Sequence, residues 1–256
     1  MPSALLIHGM MGGGWYWEKY KSFFENNGIK CFAPDLRYHS KGGGPIKELG
    51  NTSIRDYVSD LKKEVEKISK EEVPFIIGHS MGGLIAQILL SEGYGKGGVF
   101  LTPAPPAGIM ALSISQLLTF LPVMVKSSWW KKPFKLSYGR FKYSILNNLD
   151  EEESRKIYPN FCYESGRALF EIGMWILDKS KATKVDFSKL SSVPVLIVGA
   201  KKDKITPVSV VKKIKEKYKK ARYEEFENNA HWVVGEKNWQ EVAELVLDFI
   251  KSNTIT

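Results

Sequence analysis

The sequence predicts an α/β protein whose six-stranded, mostly parallel sheet is flanked by helices and interrupted once by a helical insertion. Three observations predict it. Short apolar runs of strand length alternate with amphipathic stretches, several of the runs end in glycine or proline turns, and the alternation lapses between residues 104 and 190. A length of 256 residues suits one large α/β core better than two small ones.

The elements follow in order. Residues 4–7 are an apolar run ending at His8-Gly9, followed by Met10-Met11-Gly12-Gly13-Gly14 and an aromatic-rich helical pattern over 15–27. Residues 29–33 make a second strand closed by Pro34-Asp35. Residues 52–69 read as an amphipathic helix with Ile54, Tyr57, Val58, Leu61, Val65 and Ile68 on one face. A third strand over 75–77 runs into Gly78-His79-Ser80-Met81-Gly82-Gly83 and a helix beginning near Leu84. A fourth strand, 98–101, ends in Thr102-Pro103.

Within the insertion no strand is convincing, and helical stretches cover 109–120, 151–158 and 163–177. Residues 193–198 resume the strand pattern. Thr206-Pro207 reads as an N-cap followed by proline at the first helical position, 222–226 is the last strand, and a final helix spans 239–250. The expected division is a core of residues 1–103 and 191–256 with a helical cap of residues 104–190.

Composition removes several classes. With 43% hydrophobic and 25% charged residues, 22 Gly and 12 Pro, the chain is neither disordered, collagen-like nor disulfide-dense. Cys31 and Cys162 are too few for a disulfide framework. The first residues lack the basic flank and cleavage site of a signal peptide, so a reducing cytoplasm is the expectation.

The formal charge is +9, and its distribution narrows what it means. No acidic residue occurs from 93 to 149, whereas Lys96, Lys126, Lys131, Lys132, Lys135, Arg140 and Lys142 fall there. The same stretch holds an uncharged run, 107–125, of membrane-span length. Ser113, Ser115, Gln116, Thr119 and Pro122 make it too polar to span, so it reads as a buried or covering helix. A second basic tract, 212–222, reads as a solvated helix face.

The chemistry concentrates in a few positions. Gly78-x-Ser80-x-Gly82 sits between a buried strand and a helix, where small residues at 78 and 82 let the two elements approach while Ser80 is thrust out at the apex. A hydroxyl is a poor nucleophile near neutral pH and needs a base within hydrogen-bond reach. Of four histidines, His79 adjoins the serine and would point elsewhere, His8 closes the first strand, and His39 lies in the loop after the second. His231 remains, in a loop that would emerge at the same sheet edge as Ser80.

A base of this kind needs a carboxylate to fix its tautomer. Asp203 follows the strand before His231, whereas no acid lies near Thr102 after the fourth strand. A solvated turn in which Lys201, Lys202 and Lys204 pair with Asp203 is the competing reading. Oxyanion donors are expected from the amides of Met81, at a helix start, and Met10, in the glycine loop. That loop lacks the Lys-Ser/Thr ending of a phosphate cradle.

Taken together, His8-Gly9, Asp35-Leu36-Arg37, the elbow at 78–83, Asp203-Lys-Ile-Thr-Pro207 and His231 resemble the motifs of the α/β-hydrolase superfamily. The resemblance covers all but the insertion. It implies the α/β-hydrolase fold, an acyl-enzyme on Ser80 relayed by His231 and Asp203, and an ester-cleaving enzyme of carboxylesterase or lipase type needing no cofactor and no metal. Many members open with an antiparallel hairpin before the strand that ends in His-Gly, whereas this sequence begins at that strand, so a short sheet lacking the N-terminal hairpin is expected. Its start resembles the branch of plant methyl esterases and hydroxynitrile lyases, whose spacing matches His8 to Trp15.

The lyases carry threonine where Gly9 stands and lysine where Trp232 stands, and Ser80 argues against relatives with an aspartate nucleophile. A lyase or perhydrolase on the same serine, or a non-catalytic ligand receptor, are the alternatives. Phe120, Trp129, Trp130, Phe134, Tyr138, Phe141 and Tyr143 interleave with the basic residues of the insertion. Most are expected to pack the cap. The sharper expectation is an apolar acyl pocket with a cationic rim at Lys131 and Lys132, taking small-molecule acyl or anionic esters. Neither nucleic acid nor stable membrane insertion is expected.

Overall fold

The computed structural model describes residues 1–111 and 113–254. Its central sheet contains β1 (Ser3–Ile7), β2 (Lys30–Phe32), β3 (Phe75–His79) and β4 (Gly97–Leu101), completed by β7 (Val195–Ala200) and β8 (Arg222–Phe226). The order is β2-β1-β3-β4-β7-β8, and every neighbouring pair is parallel. The chain direction along the sheet therefore reverses between β1 and β3, the switch point at which open parallel sheets form a crevice.

Five of these strands, β1, β3, β4, β7 and the middle of β2, are apolar because helices cover both faces. Successive residues point to opposite faces, so two cores form. Leu6, Ile77, Val99 and Val198 meet α1 (Glu18–Asn26) and α9 (Trp239–Ser252). Leu5, Ile76, Phe100 and Ile197 meet α2 (Ile54–Ile68), α3 (Met81–Ser91) and α8 (Val208–Lys215).

Helix α2 begins at a capping box of Ser53 and Asp56, and all six residues of its predicted face are buried. Helix α3 starts three residues earlier than the glycines suggest, directly after Ser80. Its glycines are tolerated because the whole helix is buried and they lie where a side chain would strike backbone. Proline 207, not Thr206, occupies the N-cap position of α8, because the Thr206 hydroxyl is engaged by Asp203 and the Thr102 carbonyl.

Between β4 and β7 the chain forms α4 (Ile114–Met124), α5 (Tyr138–Ser144), α6 (Glu151–Ile157) and α7 (Gly166–Gly173). It also forms a two-stranded antiparallel pair, β5 (Pro133–Phe134) with β6 (Glu164–Ser165), where no strand was expected. Two-residue strands carry too little period to read. They also shorten the helix predicted over 163–177, which starts at the Ser165 cap.

The helix predicted over 109–120 begins instead at a Ser113–Gln116 capping box; Leu112 lies outside the described residues. Proline 122 inside α4 leaves the Leu118 carbonyl without its helical donor, and the Arg140 guanidinium donates to it instead. Among the described residues no helix is long and apolar enough to cross a membrane. Both cysteines are buried and free.

Candidate active site

The turn after β3 sets the geometry. Ser80 has φ 54° and ψ −119°, a backbone conformation rare for a residue with a side chain and found where structure overrides strain. Two close approaches hold it. A Cβ on Gly78 would lie 2.1 Å from the Gly82 carbonyl oxygen, and one on Gly82 would lie 2.2 Å from that of Ile7, so only glycine fits at either position. The Ser80 amide donates to the Leu101 carbonyl at 3.0 Å, fastening the apex to β4.

Ser80, His231 and Asp203 meet at this sheet edge, all three buried. The Ser80 hydroxyl lies 2.9 Å from His231 Nε2, and His231 Nδ1 lies 2.9 Å from Asp203 Oδ2. Asp203 is fully engaged by donors. Its Oδ1 accepts from the Ile205 and Thr206 amides at 2.7 and 2.8 Å, and its Oδ2 accepts from the Thr206 hydroxyl at 2.8 Å. Burial pushes its pKa up, but His231 and these donors outweigh burial and hold it below the ordinary value.

An ionised carboxylate only accepts, so His231 carries its proton on Nδ1 and offers the Nε2 lone pair to the serine hydroxyl. The competing lysine pairing is not found: Lys201 is 2.5 Å from Glu227, and no lysine among the described residues pairs with Asp203.

The other histidines are committed elsewhere. His79 Nε2 donates to the His231 carbonyl at 2.7 Å, and its Nδ1 accepts from the Tyr16 hydroxyl at 3.2 Å. Burial, reinforced by His231, lowers its pKa to about 3, so the ring is neutral. The Gly9 amide donates to the same Tyr16 oxygen, giving a chain of bonds from the glycine loop to the backbone of His231. His8 accepts the Leu36 amide on Nε2 at 3.0 Å and faces the Gly9 carbonyl with Nδ1 at 2.9 Å; burial brings its pKa to about 3.

His39 is different. Its Nδ1 faces the Arg37 carbonyl at 2.9 Å and its Nε2 faces Glu164 Oε2 at 3.0 Å, two acceptors that only an imidazolium satisfies. Burial opposes its charge, but Glu164 outweighs burial and raises its pKa. Glu164, fully buried, likewise pays desolvation yet is held below its usual range by His39, the Ser165 amide and the Tyr57 hydroxyl. Its Oε2 also accepts the Met11 amide at 3.1 Å. Sequence reasoning missed this pair because its members lie 125 residues apart.

Met10, Ser80 and Met81 line one cavity of about 150 Å³. Neither the Met10 nor the Met81 amide has an acceptor among the described residues. Met81 opens α3, where the helix leaves N–H groups free. Phe120, Met124, Trp129, Leu169 and Trp175 form much of the wall, and among the described residues no charged one lines it. The cationic rim expected at Lys131 and Lys132 is not found there: neither lines the cavity, and Lys131 lines a separate hollow with Trp130, Arg167, Glu171 and Asp178. A second space of about 30 Å³ also reaches Ser80, bounded by Gly9, Tyr16, Phe161, His231 and Trp232.

Comparison with known proteins follows the same lines. Salicylic acid-binding protein 2 of Nicotiana tabacum is 36% identical over 80 residues, 31% of this chain and 30% of that protein. Methyl jasmonate esterase 1 of Vitis vinifera is 31% identical over 88 residues, 34% and 33% of the two chains. The chain thus matches about a third of the length of these curated relatives. A crystal structure of an Arabidopsis methylesterase superposes with a TM-score of 0.73 at 14% identity, covering 96% of this chain and 98% of that one. The family model described as "Alpha/beta hydrolase family" matches residues 4–245, and with the parallel sheet and the turn at Ser80 already in view, the chain belongs to that family.

Proposed function

We propose that this protein is a serine esterase that hydrolyses small-molecule esters with an apolar acyl group and a small alcohol. The observation that carries the reading is the run of two 2.9 Å contacts from Ser80 Oγ through the His231 ring to Asp203. In the proposed reaction His231 Nε2 takes the Ser80 proton as Oγ attacks the ester carbonyl carbon. The Met10 and Met81 amides donate to the resulting oxyanion.

Collapse of that intermediate breaks the bond to the alcohol oxygen, which receives the proton from Nε2. Water then enters, gives a proton to Nε2, attacks the acyl-enzyme, and releases the acid while Ser80 recovers its proton. Asp203 stays ionised throughout and steadies the imidazolium.

The two spaces beside Ser80 divide the substrate. The leaving oxygen must lie within hydrogen-bond reach of His231, and His231 bounds the small space and not the large one. The alcohol therefore belongs in about 30 Å³, room on the order of one water or methanol. The acyl group belongs in the uncharged cavity beneath α4 and α7, so residues 104–190 act as a cap that selects the acid part. The names of the curated relatives, a methyl jasmonate esterase among them, support ester cleavage of this kind.

A fluorophosphonate should label Ser80, and initial rates on methyl esters should rise with acyl length and fall when methyl is exchanged for butyl. A label confined to other residues overturns the nucleophile. Labelling at Ser80 with no turnover of any ester favours the ligand-receptor reading, and faster cleavage of butyl than methyl esters overturns the assignment of the two spaces.

A further inference from the structure

Helix α4 inverts the usual arrangement of a surface helix, in which the outward stripe is polar. Its inward residues include Phe120, Val123 and Met124, packed toward the core or the cavity. Its outward stripe, at spacings of 3, 4, 7 and 11 from the first residue, is Ile114, Leu117, Leu118, Leu121 and Val125. All five are exposed, Ile114 at 80% and Val125 at 71%. Among the described residues nothing covers them. Met110, Ile176 and Leu177, outside the helix, are also exposed.

This surface adjoins the cavity. Leu117 is both a wall of the cavity and 52% exposed. Met110 adjoins the lining residues Ile109 and Ala111, and Ile176 follows the lining residue Trp175. Whatever sits on the stripe therefore sits over the entrance to Ser80.

The charges beside the stripe say what that partner is. Lys126 follows Val125 directly, Arg140 is anchored on the Leu118 carbonyl, and Lys204 contributes its carbonyl to the Ser115 hydroxyl and its ammonium to the face of Tyr143. None of the three has a carboxylate within 4 Å among the described residues. Asp178, which follows Leu177 in the sequence, is turned into bonds with Ser180 and Ala182. A second copy of the chain docking here would bring like charges together. A neutral partner would leave the cations without purpose.

We propose that this face docks on an anionic phospholipid surface, with α4 lying in the interface plane. Its 11 residues span about 16 Å, enough to lie along a bilayer and far too short to cross one. Apolar side chains enter the headgroup region while the flanking cations meet lipid phosphates, and the cavity mouth opens onto the apolar layer. Such docking delivers membrane-dissolved esters to the site, but the docking itself does not depend on the ester-hydrolysis reading: Ser80→Ala is expected to bind lipid as the unaltered protein does.

Co-sedimentation with phosphatidylcholine vesicles, with and without phosphatidylglycerol, tests it. The protein is expected to bind vesicles containing phosphatidylglycerol, with affinity falling as salt rises. Each charge near such a surface is worth about fivefold, so Lys126→Glu, a change of two charges, should weaken binding roughly thirtyfold. The combined variant Ile114→Ser, Leu118→Ser and Leu121→Ser should lose roughly tenfold or more, with its circular dichroism and its rate on a soluble ester unchanged. Equal binding to both vesicle types, no binding to either, or retention by both variants overturns the proposal. So does a dimer in sedimentation velocity that the triple variant dissolves, since the stripe would then belong to a second copy.

Discussion

Replacing Glu164 with glutamine tests how far the machinery around Ser80 depends on residues distant in sequence. Glu164 is wholly buried, and its two oxygens accept from Met11, His39, Tyr57 and Ser165. An amide offers one acceptor oxygen in place of two, so wherever its oxygen points, two donors lose their acceptor and His39 loses its counter-charge. Removing one member of a buried ion pair costs about 3–5 kcal/mol, which for a protein of this size corresponds to a fall in Tm of roughly 10 °C.

The pH dependence of that loss follows from the two shifts. Glu164 has its folded pKa depressed, so its contribution is present above the unfolded value of about 4.3 and is lost as pH falls through the folded one. His39 has its folded pKa raised, so its contribution is complete below about 6.5 and is lost as pH rises through the folded value. The pair therefore contributes fully between about pH 4.5 and 6.5. Calorimetry of the two proteins from acid to alkaline pH should find the Tm gap widest in that window and narrower above it. Because Glu164 also anchors the amide next to Met10, kcat should fall by about tenfold with KM little changed, short of the 10²–10³ expected for full loss of an oxyanion donor. A Tm gap below about 2 °C, or one that widens steadily above pH 8, would refute the reasoning.

Three further outcomes are expected. Asp203→Asn turns an amide donor toward His231 Nδ1 and forces the other tautomer, so kcat on esters should drop by about 10⁴ while fluorophosphonate labelling slows in parallel. Gly82→Ala drives a Cβ to 2.2 Å from the Ile7 carbonyl oxygen, backbone that has no slack; urea unfolding should report a loss above about 4 kcal/mol or no folded protein at all. Leu169→Trp puts an indole into a cavity of about 150 Å³ and should lower kcat/KM for long acyl chains relative to acetyl by at least about tenfold, measured on a graded ester series.

What the sequence made legible was local. The inner strands β1, β3, β4 and β7 were visible because burial on both faces demands an uninterrupted apolar run, whereas β8, Arg-Tyr-Glu-Glu-Phe, is nowhere fully buried; the elbow was visible because two glycines at fixed spacing answer two backbone approaches of about 2 Å. Chain order then set Asp203 and His231 against Ser80, and the three side chains meet within hydrogen-bond distance. The short β5–β6 pair left no signal, since two residues show no period. The lysines misled for a related reason: Lys131 and the cavity share a segment, but helical chains turn successive side chains to different sides, and sequence proximity to Trp129 said nothing about which hollow the ammonium would face.

The histidines carry the argument furthest. All four are buried, and every ring nitrogen has a partner, so burial and hydrogen bonding alone do not single one out. The partners do. His8 and His79 are neutral rings between backbone groups and a phenol, which fasten loops. His39 is bonded as a cation against a buried carboxylate, with no lone pair to spare. Only the His231 ring combines a nitrogen held by a carboxylate with one facing a hydroxyl beside a cavity, the combination that proton transfer to and from a substrate requires. The other three fasten the surroundings: His79 bonds the His231 backbone, His8 joins the glycine loop to the second-strand loop, and His39 joins that loop to the insertion. Loss of any of them should thus appear as misplacement of donors and acceptors around Ser80 before it appears as lost chemistry.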